Sequence, residues 1–156
     1  MSIDRAIARL QALKRNVRKI AANELVNYAL DNIKRQRDIN GMPLRKRKPG
    51  SPRDAGRAIL VDTGDGRRSI QASVTPTGAQ LTANEYMVAH NEGATVRGTF
   101  RVRQHTRRRG GRAQTVKAHS RTVNFTLPQR AFAGKSREQI NRIEKAIANQ
   151  IIKALT

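Results

Sequence analysis

The chain has 156 residues, with 32 lysines and arginines against 11 aspartates and glutamates, for a formal net charge of +21. Cysteine is absent, which excludes disulfides and thiolate chemistry, and no apolar run approaches the ~20 residues that span a bilayer. The 37% hydrophobic and 3% aromatic shares fit one ordinary domain with part of its length outside the packed core, in arms or loops that order against partners.

The N-terminal MSIDRAIARL lacks the continuous apolar segment of a signal peptide. Residues 2–37 are predicted to form one long helix. Ile3, Ile7, Leu10, Leu13, Val17, Ile20, Leu25, Tyr28 and Ile33 recur mostly at spacings of three and four, Ser2 suits the N-cap, and Asp4 suits the positive helix end. The opposite face carries Arg5, Arg9, Lys14, Arg15, Arg18, Lys19, Lys34, Arg35 and Arg37. It reads as solvated, or else as meeting another subunit or phosphates.

Gly41 and Pro43 end the helix, and residues 45–57 form a polar loop whose Arg45, Lys46, Arg47 and Lys48 are candidate contacts. Ala58–Val61 is a short apolar run. Asp62-Thr63-Gly64-Asp65-Gly66 resembles half of a calcium loop, but the twelfth position is Ser73 rather than glutamate, so a turn is expected in which Asp62 bonds local backbone N–H groups. Residues 72–75 and 79–83 read as a hairpin about Pro76-Thr77-Gly78, and Tyr86–Gly93 as a helical turn closed by Gly93.

Val96–Val102 and Val116–Phe125 read as strands, with Phe100 and Phe125 expected to pack in the core. Between them Gln104–Thr115 holds Arg107-Arg108-Arg109-Gly110-Gly111-Arg112, expected as a long, flexible hairpin tip, disordered in the isolated subunit. Leu127-Pro128 breaks the second strand. Ser136, with Gln139 three residues later, caps a final helix to about Leu155 whose stripe is Ile140, Ile143, Ile147, Ile151 and Leu155. The order helix, small antiparallel sheet, helix predicts a single α+β domain over 1–156, with helices on one face of the sheet and a basic arm at 97–121.

Catalytic and cofactor chemistry find no footing. His90, His105 and His119 have no ligand spacing, and His90-Asn91-Glu92 matches only part of a His–Asn nuclease signature, without the carboxylates such a site needs. No Walker loop or dinucleotide fingerprint occurs. No catalytic residue, metal site or cofactor is expected.

The basic charge is concentrated. Between Glu92 and Glu138 there is no acidic residue, while Arg101, Arg103, Arg107, Arg108, Arg109, Arg112, Lys117 and Arg121 accumulate. Such a stretch repels itself unless phosphates or an acidic protein surface lie nearby. Aromatics are not interleaved with these cations as base stacking requires, so the expected contact is salt-sensitive and sequence-blind. Composition alone also suits a basic nucleic-acid-binding protein of ribosomal or nucleoid type.

Ordered phrases narrow the choice. Asn40-Gly41-Met42-Pro43-Leu44 resembles a "G-x-P-W/L" that follows a long first helix. Ile59-Leu60-Val61-Asp62-Thr63-Gly64 with Arg68-Ser69-Ile70 resembles "I-L-x-x-T/S-G-x-L-x-x-S-I", and Tyr86–Gly93 resembles "Y-A-x-x-H-x-x-G". Leu127-Pro128-Gln129-Arg130-Ala131-Phe132-Ala133-Gly134 is similar to "L/I-P-x-R-P/x-F-L/I-G" before the last helix. Together they resemble the phage virion morphogenesis family, the tail-completion proteins of Mu-like and related tailed phages. The chain departs from that pattern at Gly66, where leucine is usual, at Ala131, where proline is usual, and in the length of its basic hairpin. The resemblance implies a non-enzymatic virion protein at the head–tail junction or tail end. It implies a homo-oligomeric ring, commonly a hexamer, touching tail tube and head–tail connector proteins and, non-specifically, DNA in the channel, with no membrane. It gives Tyr86, Gly93, Pro128, Arg130 and Phe132 structural roles, Arg130 and Phe132 anchoring the start of the final helix against the sheet.

Overall fold

The computed structural model describes residues 3–46 and 57–155, except the side chains of Ala6, Arg15 and Arg109. The expected Ser2 cap and most of the 45–57 loop, with Arg47 and Lys48, lie outside the described residues.

The first helix, α1 (Ile3–Arg35), runs 33 residues, about 50 Å at roughly 1.5 Å per residue. Only its second half is covered. Ala22, Tyr28, Ala29, Asn32 and Ile33 are buried, whereas Ile3 is 77% exposed and Ile7 and Leu10 are also exposed. Gln36, at φ 56°, turns the chain out of the helix, and its side-chain amide bonds both the N–H and the carbonyl of Ile59. That pair fastens the apolar run 58–61 to the end of α1.

A short helix, α2 (Asp65–Arg68), leads into the hairpin β1 (Gln71–Thr75) and β2 (Gly78–Thr82), paired Thr75↔Gly78 to Gln71↔Thr82. Asp62 departs from expectation. Its carboxylate accepts from Arg57 at 2.6 Å, which draws it away from the turn. Next comes α3 (Glu85–Glu92), capped by the Asn84 side chain accepting from the Met87 N–H at 2.9 Å. Gly93 closes it at φ 79°; a Cβ there would stand 3.2 Å from the Gln129 nitrogen.

Strands β3 (Ala94–Val102) and β6 (His119–Leu127) form an antiparallel ribbon, and β4 (His105–Arg109) with β5 (Arg112–Val116) extend it. The fold is α+β, with its strands divided among three separate two-stranded sheets. α1 packs against β1, β2 and the last helix, α4 (Arg137–Leu155).

Ala29, Ile33, Leu44, Leu60, Ile70, Met87 and Phe132 make the core, with Leu81 of β2 and Ala83 just after that strand packed against it. Phe132 is buried as its phrase implied, but among the described residues the cluster contains no residue of α4. Phe132 therefore anchors the segment before α4 onto α1 and α3. Gly66 belongs to the same packing. A Cβ there would lie 2.6 Å from Sδ of Met87, so Met87 occupies the space a larger residue at 66 would claim.

Polar bonds seat α4. The Gln139 N–H donates to Ser136 Oγ at 3.2 Å, Ser136 Oγ lies 2.8 Å from the Tyr28 hydroxyl, and Tyr28 donates to the Ile39 carbonyl at 3.1 Å. Because Tyr28 has one proton and gives it to Ile39, Ser136 is the donor between them. Arg142 and Arg37 then bind Asp31 at 3.1 and 3.6 Å, and Arg37 also binds Glu138 at 2.6 Å.

Candidate functional site: a two-faced basic arm

The arm is rooted in a buried polar knot. The Arg130 N–H donates to the His90 carbonyl at 2.8 Å, its guanidinium to His90 Nδ1 at 2.9 Å, and its Nε to the Arg45 carbonyl at 2.9 Å. Asn91 accepts from the Ala133 N–H at 2.9 Å, and Asn32 donates to the Phe132 carbonyl at 3.0 Å. These bonds fix the place where the chain leaves α3 and where it returns from β6. Pro128, half-buried, follows the last ladder residue, Leu127. Tyr86 is not a core residue. It is 56% exposed and stands edge-on to His90, with ring centroids 4.5 Å apart.

From that root β3 and β6 run about 30 Å at roughly 3.3 Å per residue. Pairing assigns each residue to a face. Thr95, Arg97, Thr99 and Arg101 share one face with Thr126, Asn124, Thr122 and Ser120. Threonine hydroxyls meet across it, Thr95–Thr126 at 3.5 Å and Thr99–Thr122 at 3.3 Å. The other face holds Val96 opposite Phe125, Gly98 opposite Val123, Phe100 opposite Arg121 and Val102 opposite His119. The Phe100 ring lies over Gly98, 3.4 Å from where a Cβ would be. Neither aromatic is in the core: Phe100 is 52% and Phe125 46% exposed, because the ribbon projects from the body and nothing among the described residues fills in above that face.

Both strands break their ladder at matching places, Arg103-Gln104 and Lys117-Ala118. Beyond each break a histidine Nδ1 donates to the carbonyl two residues back, His105 to Arg103 at 3.0 Å and His119 to Lys117 at 2.9 Å. The tip is a regular two-stranded hairpin. Gly110 and Gly111 sit at φ 58° and 79°, which provides the two-residue turn a tight hairpin needs, and Arg109↔Arg112 closes the ladder. The like charges that argued against packing are accommodated because the side chains of Arg107, Arg108 and Arg112 splay into solvent.

Of the expected contact residues, Arg101, Arg107, Arg108, Arg112 and Arg121 stand exposed on the strands and Arg103 and Lys117 at the breaks; the Arg109 side chain lies outside the described residues. Arg45 and Lys46 are exposed but belong to the root, where the Arg45 carbonyl holds Arg130. No ion pair touches the strand cations among the described residues. The arm therefore presents a hydroxyl- and guanidinium-bearing face suited to phosphate or carboxylate and an apolar face suited to protein.

The sequence from root to tip and back is covered by one known family: its model matches residues 1–152. The chain belongs to the phage virion morphogenesis family. No curated protein and no solved structure is similar enough to count as a match. Membership makes this a phage structural protein that works among other virion components. Within that family setting, sequence reading found the arm's cations and the buried Arg130 and Phe132. It missed the exposure of Phe100 and Phe125, and the stripe Glu85, Val88, Glu92 on the outer side of α3. The stripe's spacing of three and four was the available signal.

Proposed function

We propose that the chain is a non-enzymatic tail-completion or tail-terminator subunit that closes into a ring, a hexamer in its simplest form, at the head–tail junction. The observation that carries this reading is the arm: a rigidly rooted ribbon whose polar face holds Arg97 between Thr95 and Thr99 and Arg101 opposite Ser120, without an acidic residue from Ala94 to Leu127. A ring of such arms lines a channel with cations. DNA passing through is held by phosphate contacts that do not depend on sequence, while tail tube and connector proteins meet the outer surfaces. Family membership supports the virion setting.

The test replaces Arg97, Arg101, Arg107, Arg108 and Arg112 with serine. The substituted protein is expected to fold normally, because these side chains are exposed. Particles built with it should join heads to tails poorly or lose their DNA, and any DNA affinity of the unmodified protein should fall steeply with salt. Fully infectious, DNA-filled particles carrying the substituted protein would overturn this assignment of the arm.

A further inference from the structure

The apolar face of the arm has a matching surface on the body. A groove of about 230 Å³ is lined by Leu81, Ala83, Val88, Glu92, Phe132 and Ala133. It lies beside the outer stripe of α3, where Val88 is 40% exposed between Glu85 and Glu92. Cations outnumber acids 32 to 11 in this chain, and Asp31, Asp62, Asp65, Glu24 and Glu138 are all engaged by arginines. Among the described residues Glu85 and Glu92 have no such partner. An apolar groove with the unpaired Glu92 carboxylate in its lining is complementary to one feature of the arm, the cross-strand pair of Phe100 and Arg121 on its apolar face.

The chain's own arm cannot make this contact. Glu92 and Ala133 border the groove at the arm's root, whereas Phe100 is displaced from Ala94 by about 20 Å at roughly 3.3 Å per residue along a paired strand. We infer that the groove receives the arm of a second copy of this chain, Phe100 entering beside Val88 and Leu81 and Arg121 reaching the Glu92 carboxylate. Arm and groove are different surfaces, so the contact is head-to-tail, and repeating it generates a closed ring when the rotation permits. The inference rests on the ring reading above and names the surfaces that join its subunits. It also divides the arm's labour: the apolar face binds the neighbour and leaves the threonine–arginine face for the channel.

The absence of native cysteine permits a direct test. Phe100→Cys and Val88→Cys are introduced together and separately into the full chain, at exposed positions outside the core. The double variant, oxidised as purified protein and in assembled particles, should give a ladder of disulfide-linked multimers on a denaturing gel, and neither single variant should. In parallel, Glu92→Arg and Arg121→Glu should each weaken self-association about tenfold or more, read as mass by light scattering, and their combination should restore it. A multimeric mass without crosslinking of the double variant overturns the arm-in-groove contact while leaving the ring intact. A monomeric mass at every concentration, with no crosslink in particles, overturns both.

Discussion

Arg130 and His90 share a buried hydrogen bond of 2.9 Å in which the guanidinium must be the donor, so Nδ1 of His90 is its acceptor and the imidazole proton sits on Nε2. The same arginine reaches the Arg45 carbonyl through Nε. One side chain thus ties α3, the loop after α1 and the return from β6 to a single point. His105 and His119 have the opposite arrangement, with Nδ1 as donor to a carbonyl. Nitrogen NMR should find the His90 proton on Nε2, with Nδ1 as the acceptor. Arg130→Lys keeps the charge but cannot serve both acceptors with a fork, and should lose about 1.5–3 kcal/mol in urea titration. A loss below roughly 0.5 kcal/mol would remove the knot from the account.

The aromatic residues should separate into two groups. Phe132 is buried with Ile33, Leu44 and Met87, so Phe132→Ala should cost about 3–5 kcal/mol. Phe100→Ala and Phe125→Ala, on the open face of the arm, should change the isolated subunit's stability by roughly 0.5 kcal/mol or less. Equal losses at all these positions in denaturant titration would show that the arm is packed in the subunit.

Gly66 stands where leucine is usual in the family resemblance, and Met87 fills the space. Gly66→Leu should therefore destabilise by about 1–3 kcal/mol through overpacking. Met87→Ala in the same chain should recover part of that loss, although Met87→Ala alone opens a cavity. Additive losses in the double-mutant cycle would mean that the residues do not share one volume.

Asp65 gives a small pH signature. The Thr63 hydroxyl and the Arg68 guanidinium hold its carboxyl below the ordinary 3.8. A carboxyl lowered in the folded state stabilises above its unfolded value and loses that contribution as pH falls through the folded one. Asp65→Asn should thus be slightly less stable than the parent at pH 7, and the gap should close in acid below 3.8. The site is exposed, so the gap should also shrink with salt. A gap unchanged between neutral and acid pH would contradict this origin.

How much of this was legible in the sequence depended on the range of the interaction. Local signals worked: Ser136 bonds the Gln139 N–H as a capping box requires, Gly93 closes α3, and Pro76-Thr77 turns the hairpin. Burial by distant partners was less visible. Asn32 is buried because its amide meets the Phe132 carbonyl and Arg37 Nε, partners no local pattern announces. Val96–Val102 and Val116–Phe125 were legible as strands, but a strand signal cannot tell whether anything covers its apolar face. That is why Phe100 and Phe125 read as core. At the tip, like charges suggested disorder, while the positive φ of both glycines set up a tight turn.

We propose a ring whose arms face the DNA channel. The most direct measurement is a cryo-electron-microscopy reconstruction of the native particle at its head–tail junction. A closed ring of this chain is expected there, with the Arg97–Arg101 face of each arm toward the lumen and the Phe100 face against the next subunit. Isolated monomers at that position, or arms directed away from both the lumen and the neighbouring subunit, would contradict it.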